Sequence, residues 1–367
     1  MRTAIFLLTF ILIFSLPTSA YAEGELKDIY KGLPSDINEL MPESFDDELE
    51  KDSGTSAIKL FSVPFFVSFF TKSLNLALSD SAPMLLNLTV TVLLSALLSS
   101  FSKDGGSVGK AMTFASGAAL CFSCISVIKP LYEDCIATVE VISGIIKVSL
   151  PIMTSISLSG GQVASSEANS AFLSAVLALT EEIGRQVLTP VIAVSIALAT
   201  VSTFMRNSGM DLSHVVSSVK KIFVFFISAL STVLCCIMAF QTVIAKGSDT
   251  ILLRSIKFAS GNSIPIVGAS LSEAMGTYIS GISLIKSSAG TLIAAAIAIS
   301  ALPMILKLFA AKLSLSFVGF ISDTLGLNGS IIRDFVSICD MLIAVATTSS
   351  VIFVISMGLF ASVLPSV

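Results

Sequence analysis

Apolar runs alternate with short charged stretches over most of the chain, and this alternation determines the expected elements. Six runs are about 18 to 25 residues long and mostly free of charge, which is the length that a helix needs to cross a bilayer. The six runs are 82–101, 111–128, 188–205, 222–243, 289–306 and 340–364. The pattern predicts an all-α, polytopic helical membrane protein.

The segment before the first run has a mixed character. Lys59, Pro64 and Lys72 interrupt the apolar residues of 57–80. Such interruptions suit an interfacial or re-entrant helix as well as a seventh span, and the sequence leaves both open. We assign residues 57–110 to such a helix plus the first span.

A short motif recurs in the two halves of the chain. Ser149-Leu150-Pro151-Ile152 returns as Ser263-Ile264-Pro265-Ile266, and in each half a cysteine follows a lysine by 14 positions, as Cys124 follows Lys110 and Cys235 follows Lys221. The recurrence predicts a tandem, proline-broken internal repeat. The first membrane repeat covers 111–206, the second covers 207–312, and an amphipathic helix plus the last span covers 313–367.

The broken segments are the candidate functional site. Proline removes a backbone donor and disfavours helix at the residue before it, so we expect a helix to end at Leu150. Paired interrupted segments in two halves of a membrane protein indicate where a pathway or binding site forms. The alternative is two surface helix-turn-helix loops with ordinary prolines. Glu273 has no obvious neighbour of opposite sign, which makes it a candidate for lining a polar path. The candidate pathway or gate residues are Pro151, Gly160, Gly161, Ser263, Pro265, Gly268, Glu273 and Lys286.

Other charged residues near the apolar runs have local explanations. Glu181 or Glu182 can pair with Arg185 about one helical turn away. Asp340 costs little if it lies at the membrane interface with Arg333 nearby. These residues therefore require no functional role.

The first residues have the features of a secretory signal peptide over 1–22. Arg2 gives a positive start, residues 4–16 are an apolar run, and Ala20-Tyr21-Ala22 is a small-x-small cleavage pattern. We expect cleavage between Ala22 and Glu23. The mature N-terminus would then lie outside the cytoplasm.

Residues 23–56 form a strongly acidic, non-cytoplasmic segment. Eleven acids stand there against three lysines. This charge is repelled by anionic lipid and by nucleic acid, so we expect no nucleic-acid partner. The segment is either a solvated tail or a docking site for partner proteins.

The overall composition supports the membrane interpretation. Hydrophobic residues make up 54% of the chain, charged residues only 13%, and the mean hydropathy is +0.94. With the N-terminus outside and 82–101 as the first crossing, eight basic residues fall on the cytoplasmic side, as the positive-inside tendency requires. They are Lys103, Lys110, Arg206, Lys220, Lys221, Lys307, Lys312 and Arg333. The residues that would lie opposite are Lys129, Lys147, Lys246, Arg254 and Lys257.

Catalytic chemistry has little support in the sequence. Cys121 and Cys124 have the spacing of a redox or metal pair, but small residues at i and i+3 of a membrane helix usually serve packing. His214 is the single histidine and stands beside a predicted helix start. The sequence contains no nucleotide-binding loop, metal motif or nucleophile with a base. We expect no enzyme activity, no cofactor and no metal.

One stretch resembles a known family. Lys257-Phe258, Ser263-Ile264-Pro265-Ile266-Val267-Gly268, Ser272-Glu273-Ala274, Leu284-Ile285-Lys286 and Ala289-Gly290 are similar to the central motif of the stage III sporulation protein AE family of endospore-forming bacteria. The resemblance extends over essentially the whole chain, and its specific part is 257–290. The family has no catalytic residue to carry over.

The resemblance implies a location, partners and a function. Members sit in the mother-cell membrane around the forespore, as a multi-pass part of a secretion-like complex. Its other stage III sporulation A-type proteins include a separate ATPase and ring-forming subunits. The expected function is that of a channel or export-gate component. The alternatives are a stand-alone small-molecule or ion permease and a non-conducting membrane scaffold.

Overall fold

The computed structural model describes residues 63–100, 107–205, 213–263, 268–327 and 329–361, and these residues form helices and short turns without a strand. The predicted signal peptide over 1–22 and the acidic segment over 23–56 lie outside the described residues. Both therefore stay predictions.

Seven α-helices and one π-helix make up the described part of the chain. They are α1 (Val63–Ser100), α2 (Ser107–Ser159), α3 (Val163–Glu182), the π-helix (Ile183–Leu188), α4 (Thr189–Met205), α5 (Ser213–Ser263), α6 (Gly268–Thr324) and α7 (Ser330–Ala361). The π-helix joins α3 and α4 into one continuous segment. Six helical segments are long and apolar enough to cross a membrane, and each contains most of one predicted run. The all-α, polytopic fold class is confirmed.

The predicted helix end at Leu150 is wrong. Pro151 lies inside α2, which continues to Ser159. Ile146 and Met153, on either side of the proline, are both fully buried. Burial of this apolar face stabilises the helix through the proline, because packing outweighs the one backbone hydrogen bond that is lost.

The segment before the first run continues directly into it. α1 begins at Val63 and passes through residue 80 to Ser100 without a break. Within the described residues this segment is therefore part of one long helix, with no re-entrant turn and no separate seventh span.

The core is the antiparallel hairpin of α6 and α7. Its apolar residues are the most buried of the candidate spans. Small residues let the two helices approach closely, since a Cβ added at Gly290 would overlap the Cβ of Ala361. The remaining helices pack around this hairpin.

Two groups of ion pairs fix the heights of the helices along the bundle. Lys307 of α6 lies 2.7 Å from Asp134 of α2 and 3.8 Å from Asp80 of α1. Asp340 of α7 lies 2.9 Å from Lys220 of α5 and 2.6 Å from Lys312 of α6. We call these six side chains, Asp80, Asp134, Lys220, Lys307, Lys312 and Asp340, the charge belt.

The belt corrects two expectations. Asp340 pairs with lysines of two other helices, whereas Arg333 pairs with Asp323. Lys110 precedes Asp134 by 24 positions in α2, so it stands ~36 Å from the belt. It therefore does not share a level with Lys307, although both were expected on one side of the membrane.

The two predicted repeats differ where their prolines stand. Pro151 lies within α2, but Pro265 falls between the end of α5 at Ser263 and the start of α6 at Gly268, outside the described residues. Each half does contain a helix of similar length, with 53 residues in α2 and 51 in α5. The internal repeat stays a prediction.

A candidate polar junction between the two halves

The turn between α2 and α3 is built on two glycines. α2 ends at Ser159, and Gly161 has a φ of +74°, which other residues rarely adopt. The Gly161 N–H donates to the Leu158 carbonyl (2.9 Å), and the Gln162 N–H donates to the Ser157 carbonyl (3.0 Å). This is the Schellman pattern of helix ends. The double glycine therefore caps α2 tightly and turns the chain back along it.

An aspartate from α5 caps the start of α3. The Ala164 N–H donates to Asp249 Oδ1 (2.9 Å), and the Ser165 N–H donates to Asp249 Oδ2 (3.0 Å). Asp249 is 2% exposed. Gln162, which occupies the N-cap position, makes no capping bond with its own side chain. A carboxylate at this end of a helix also interacts favourably with the helix dipole. Asp249 thus joins α5 to the turn.

A lysine from α6 reaches the same turn. Lys286 is 1% exposed, and its Nζ donates to Gln162 Oε1 at 2.6 Å. The Nζ also lies 5.0 Å from the ring centroid of Phe360 in α7. An amide oxygen and an aromatic face both stabilise an ammonium group that has lost its water. Asp249 adds an attractive electrostatic interaction with Lys286.

The glycine turn is closely packed against α5 and α6. A Cβ at Gly160 would lie 3.0 Å from Cγ2 of Ile282, and one at Gly161 would lie 2.9 Å from Cδ2 of Leu253. These gaps are too short for an added methyl group unless a neighbour moves. The turn therefore requires small residues for contact with the second half of the chain as well as for its backbone.

Further buried polar groups surround the turn. The Ser166 hydroxyl donates to the Thr154 carbonyl at 3.2 Å, and Thr242 Oγ1 donates to Asn169 Oδ1 at 3.4 Å. Asn169 Nδ2 and the Ser165 hydroxyl oxygen are buried and have no hydrogen-bond partner among the described residues. Unsatisfied groups of this kind indicate a place for water or for a change of partner.

We call Gly160, Gly161, Gln162, Asp249 and Lys286 the polar junction. It unites three of the predicted site residues, Gly160, Gly161 and Lys286, from opposite halves of the chain. The junction joins the end of α2 and the start of α3 to both long helices of the second half.

The other predicted site residues do not join it. Pro151 lies inside α2, and Glu273 is exposed on α6. Ser263 is the last residue of α5 and Gly268 the first of α6. Pro265 lies outside the described residues.

Sequence reasoning missed two members of the junction. Gln162 and Asp249 contact partners that are distant in the chain, and no local pattern predicts such contacts. The sequence did offer one signal for Asp249, which is its negative charge between the basic residues Lys246 and Arg254.

Other side chains named from the sequence lie outside the polar junction. Glu181 pairs with Lys147 of α2, a contact between helices that the expected pairing with Arg185 did not predict. Within the described ranges, no group of three histidine, cysteine, aspartate or glutamate side chains could hold a metal. The six cysteines are free thiols, and four of them are buried.

The fold and the junction together define a class of protein. The chain is a multi-pass α-helical membrane protein in which two buried charged groups of the second half bind a glycine turn of the first half.

Comparison with known proteins identifies the family. The family model of stage III sporulation protein AE matches residues 53–363, and the chain belongs to this family. A curated relative, stage III sporulation protein AE of Bacillus subtilis (strain 168), is 30% identical over 135 residues, which cover 36% of this chain and 32% of the relative. No solved structure matches the chain. The resemblance inferred from 257–290 is thereby confirmed.

Proposed function

We propose that this chain is a pore or export-gate subunit of a sporulation complex between mother cell and forespore. Its family supports a role in sporulation, and its six apolar helical segments support a place in the membrane. The proposed location is the mother-cell membrane around the forespore. The proposed partners are other stage III sporulation A-type proteins, including a separate ATPase that supplies energy and ring-forming subunits.

The polar junction is the observation that carries a gating role. Buried charged groups are costly unless partners surround them, so a buried set that holds helix ends together loses its partners when those helices separate. Here Lys286 and Asp249 bind the start of α3 through Gln162 Oε1 and two backbone N–H groups. Water could replace each of these contacts. The junction therefore has the chemistry of a latch between two halves.

The mechanism follows from this latch. In the closed state Asp249 and Lys286 hold the glycine turn against α5 and α6. In the open state the turn moves away, and water hydrates the released groups. The apolar α6–α7 hairpin fills the centre of the bundle, so the path runs between this chain and its neighbours rather than through its core.

The test removes the ammonium group of the latch. Lys286→Met keeps an unbranched apolar stem but cannot donate to Gln162. Losing a hydrogen bond from a charged group costs about 1.5–3 kcal/mol, which shifts the equilibrium away from the closed state by about tenfold or more, so we expect fewer heat-resistant spores. Lys129→Met is the matched control, because Lys129 is largely exposed and pairs with Glu133 within its own helix. Membrane levels of both variants are measured by immunoblot.

Three outcomes would argue against the proposal. Normal sporulation with Lys286→Met at normal membrane level would exclude a latch. Solute flux through vesicles that contain this protein alone would support a permease. Cysteines introduced one at a time over 157–162 that stay protected from water-soluble reagents throughout sporulation would support a static scaffold.

A further inference from the structure

The charge-free runs of the helices lie at two heights. Lys307 bounds the charge-free run of α6 (287–306), and Asp80 bounds that of α1 (81–100). The two side chains lie 3.8 Å apart in the charge belt. The run of α6 extends from the belt towards the polar junction. The run of α1 extends from the belt in the opposite direction, away from the polar junction.

Other contacts assign the remaining runs. Thr91 of α1 lies 3.3 Å from Ser123 of α2, and Cys121 of α2 lies 3.3 Å from Thr203 of α4, so the runs of α2 and α4 accompany that of α1. The run of α7 starts beside Asp340, and the run of α5 starts beside Lys220. Both residues belong to the belt, so these two runs lie at the same height as the run of α6. The first apolar layer is 81–100, 111–128 and 189–205. The second apolar layer is 222–245, 287–306 and 341–361.

One bilayer cannot enclose both layers. Each run has 17 to 24 residues and is ~26–36 Å long as a helix, so the two layers together extend ~60 Å. The hydrocarbon core of a bilayer is about 30 Å thick. Lipid therefore surrounds one layer, and the other stands beyond it.

Exposed charges identify the layer outside the lipid. At the height of the second layer, α2 and α3 expose four charged side chains, which are Glu140, Lys147, Glu167 and Glu182. At the height of the first layer, α1, α2 and α4 cross without a charge and expose large apolar groups, among them Leu97 and Phe122. The ion pair of Asp323 and Arg333 lies near the far edge of this layer, at the end of the α6–α7 hairpin. Lipid thus fits the first layer.

One face of the second layer is nevertheless strongly apolar. On α5, Phe225 is 73% exposed, Phe240 is 72% exposed and Ile251 is 70% exposed. The exposed stripe extends from Ile222 to Ile251, over ~45 Å. A stripe of this size outside the hydrocarbon indicates a protein interface.

The stripe has the pattern of a helix pair. Positions a and d of a seven-residue repeat run along its centre and are partly or fully exposed; in order they are Ile222, Phe226, Ala229, Val233, Cys236, Phe240, Val243 and Gly247. A strict seven-residue spacing of apolar residues is typical of two helices that pack as a left-handed coiled coil. No helix of the same chain covers this seam within the described residues.

We infer that the outer face of α5 binds α5 of a second copy in a parallel pair. A two-fold axis along the bundle keeps the first apolar layer of both copies in the same membrane. It also brings each a and d residue to the height of its equivalent, so an equally long and mostly apolar surface meets the stripe. Under the predicted topology this pairing lies on the non-cytoplasmic side. The inference does not depend on the proposed gating role.

The native Cys236 supplies the test. It is exposed and occupies a d position at the centre of the stripe, where equivalent residues of a parallel pair approach closely. Membranes that contain the full-length protein are treated with copper phenanthroline and analysed on non-reducing gels. We expect a reducible band at twice the chain mass, and Cys236→Ser should abolish it.

A second set of variants separates pairing from chance collision. In the Cys236→Ser background, Val243→Cys lies on the seam and Ile244→Cys lies one residue off it, although both native side chains are 70% exposed. We expect Val243→Cys to crosslink several-fold faster than Ile244→Cys. Leu93→Cys, in the first apolar layer, should crosslink no faster than collision in lipid allows.

The outcomes decide between occupants. Equal rates at 243, 244 and 93 would mean that lipid covers α5 and would overturn the inference. A crosslinked product whose mass differs from that of a dimer would mean that a different protein occupies the face. Absence of a dimer from both Cys236 and Val243→Cys, with the protein at normal level, would also overturn it.

Discussion

Alanine substitutions at two turn glycines can distinguish the energetic cost of backbone strain from that of close packing. Gly161 and Gly326 both have a φ of +74°, but a Cβ at Gly161 would meet Leu253 at 2.9 Å, whereas nothing lies within 4 Å of a Cβ at Gly326. Gly326→Ala should lower the free energy of unfolding by about 1–2 kcal/mol through the left-handed backbone alone. Gly161→Ala should lower it further, because Leu253 must also move.

Buried thiols provide the measurement. The chain contains no tryptophan, but Cys121, Cys124, Cys135 and Cys339 are buried and would react with a fluorogenic maleimide on unfolding. Thermal melts in detergent should rank the wild type first, Gly326→Ala second and Gly161→Ala last. In a Leu253→Ala background, Gly161→Ala should lower the melting temperature by a smaller amount, closer to the decrease that Gly326→Ala causes. Equal melting of the two alanine variants would contradict the close contact between the turn and α5.

Only part of the polar junction could be predicted from the sequence. Gly160 and Gly161 are a local signal, because consecutive glycines end helices. Lys286 was named as a member of the second broken segment and of the stretch that resembles the family. Asp249 was not found, because it accepts from Ala164, 85 positions earlier in the chain, and such a partner is set by tertiary packing.

The helices themselves were predicted in number but not in extent. Each of the six apolar runs falls in its own helical segment, since run length and lack of charge are strong signals. The interruption at Pro151 was over-interpreted, because burial of Ile146 and Met153 on the same helix stabilises α2 beyond it. Tertiary packing of this kind leaves no mark in a local sequence window.

The contact between α6 and α7 makes a prediction at this scale. Gly290→Ala should separate the helices, because its Cβ would overlap the Cβ of Ala361 and lie 3.2 Å from the Cα of that residue. Overpacking of this kind typically costs about 1–3 kcal/mol. Gly281→Ala is the matched control in the same helix, where nothing lies within 4 Å, and it should be neutral or slightly stabilising. The same thiol melt measures both, and an unchanged melting temperature for Gly290→Ala would contradict the close approach.

At the scale of the whole molecule, the sequence predicted spans but not their heights. Six runs of bilayer length suggested six helices side by side in one membrane. The charge belt instead places Lys307, at the end of one run, beside Asp80, at the start of another. Helix heights depend on long-range ion pairs and core packing, which hydropathy cannot show.

The belt can be tested by exchanging charges between the halves. Lys307→Asp would bring a third carboxylate next to Asp80 and Asp134, so we expect a lower melting temperature and less protein in the membrane. Combining it with Asp134→Lys restores an opposite pair at the 2.7 Å contact and should recover most of the loss. The recovery should be modest, about 1 kcal/mol or less, because both side chains are partly exposed and water screens the pair. Lys129→Asp lies outside the belt, so adding Asp134→Lys should not raise the melting temperature of that variant. If the double variant were no more stable than Lys307→Asp alone, α2 and α6 would not meet at this height, and the two apolar layers would have to be aligned differently.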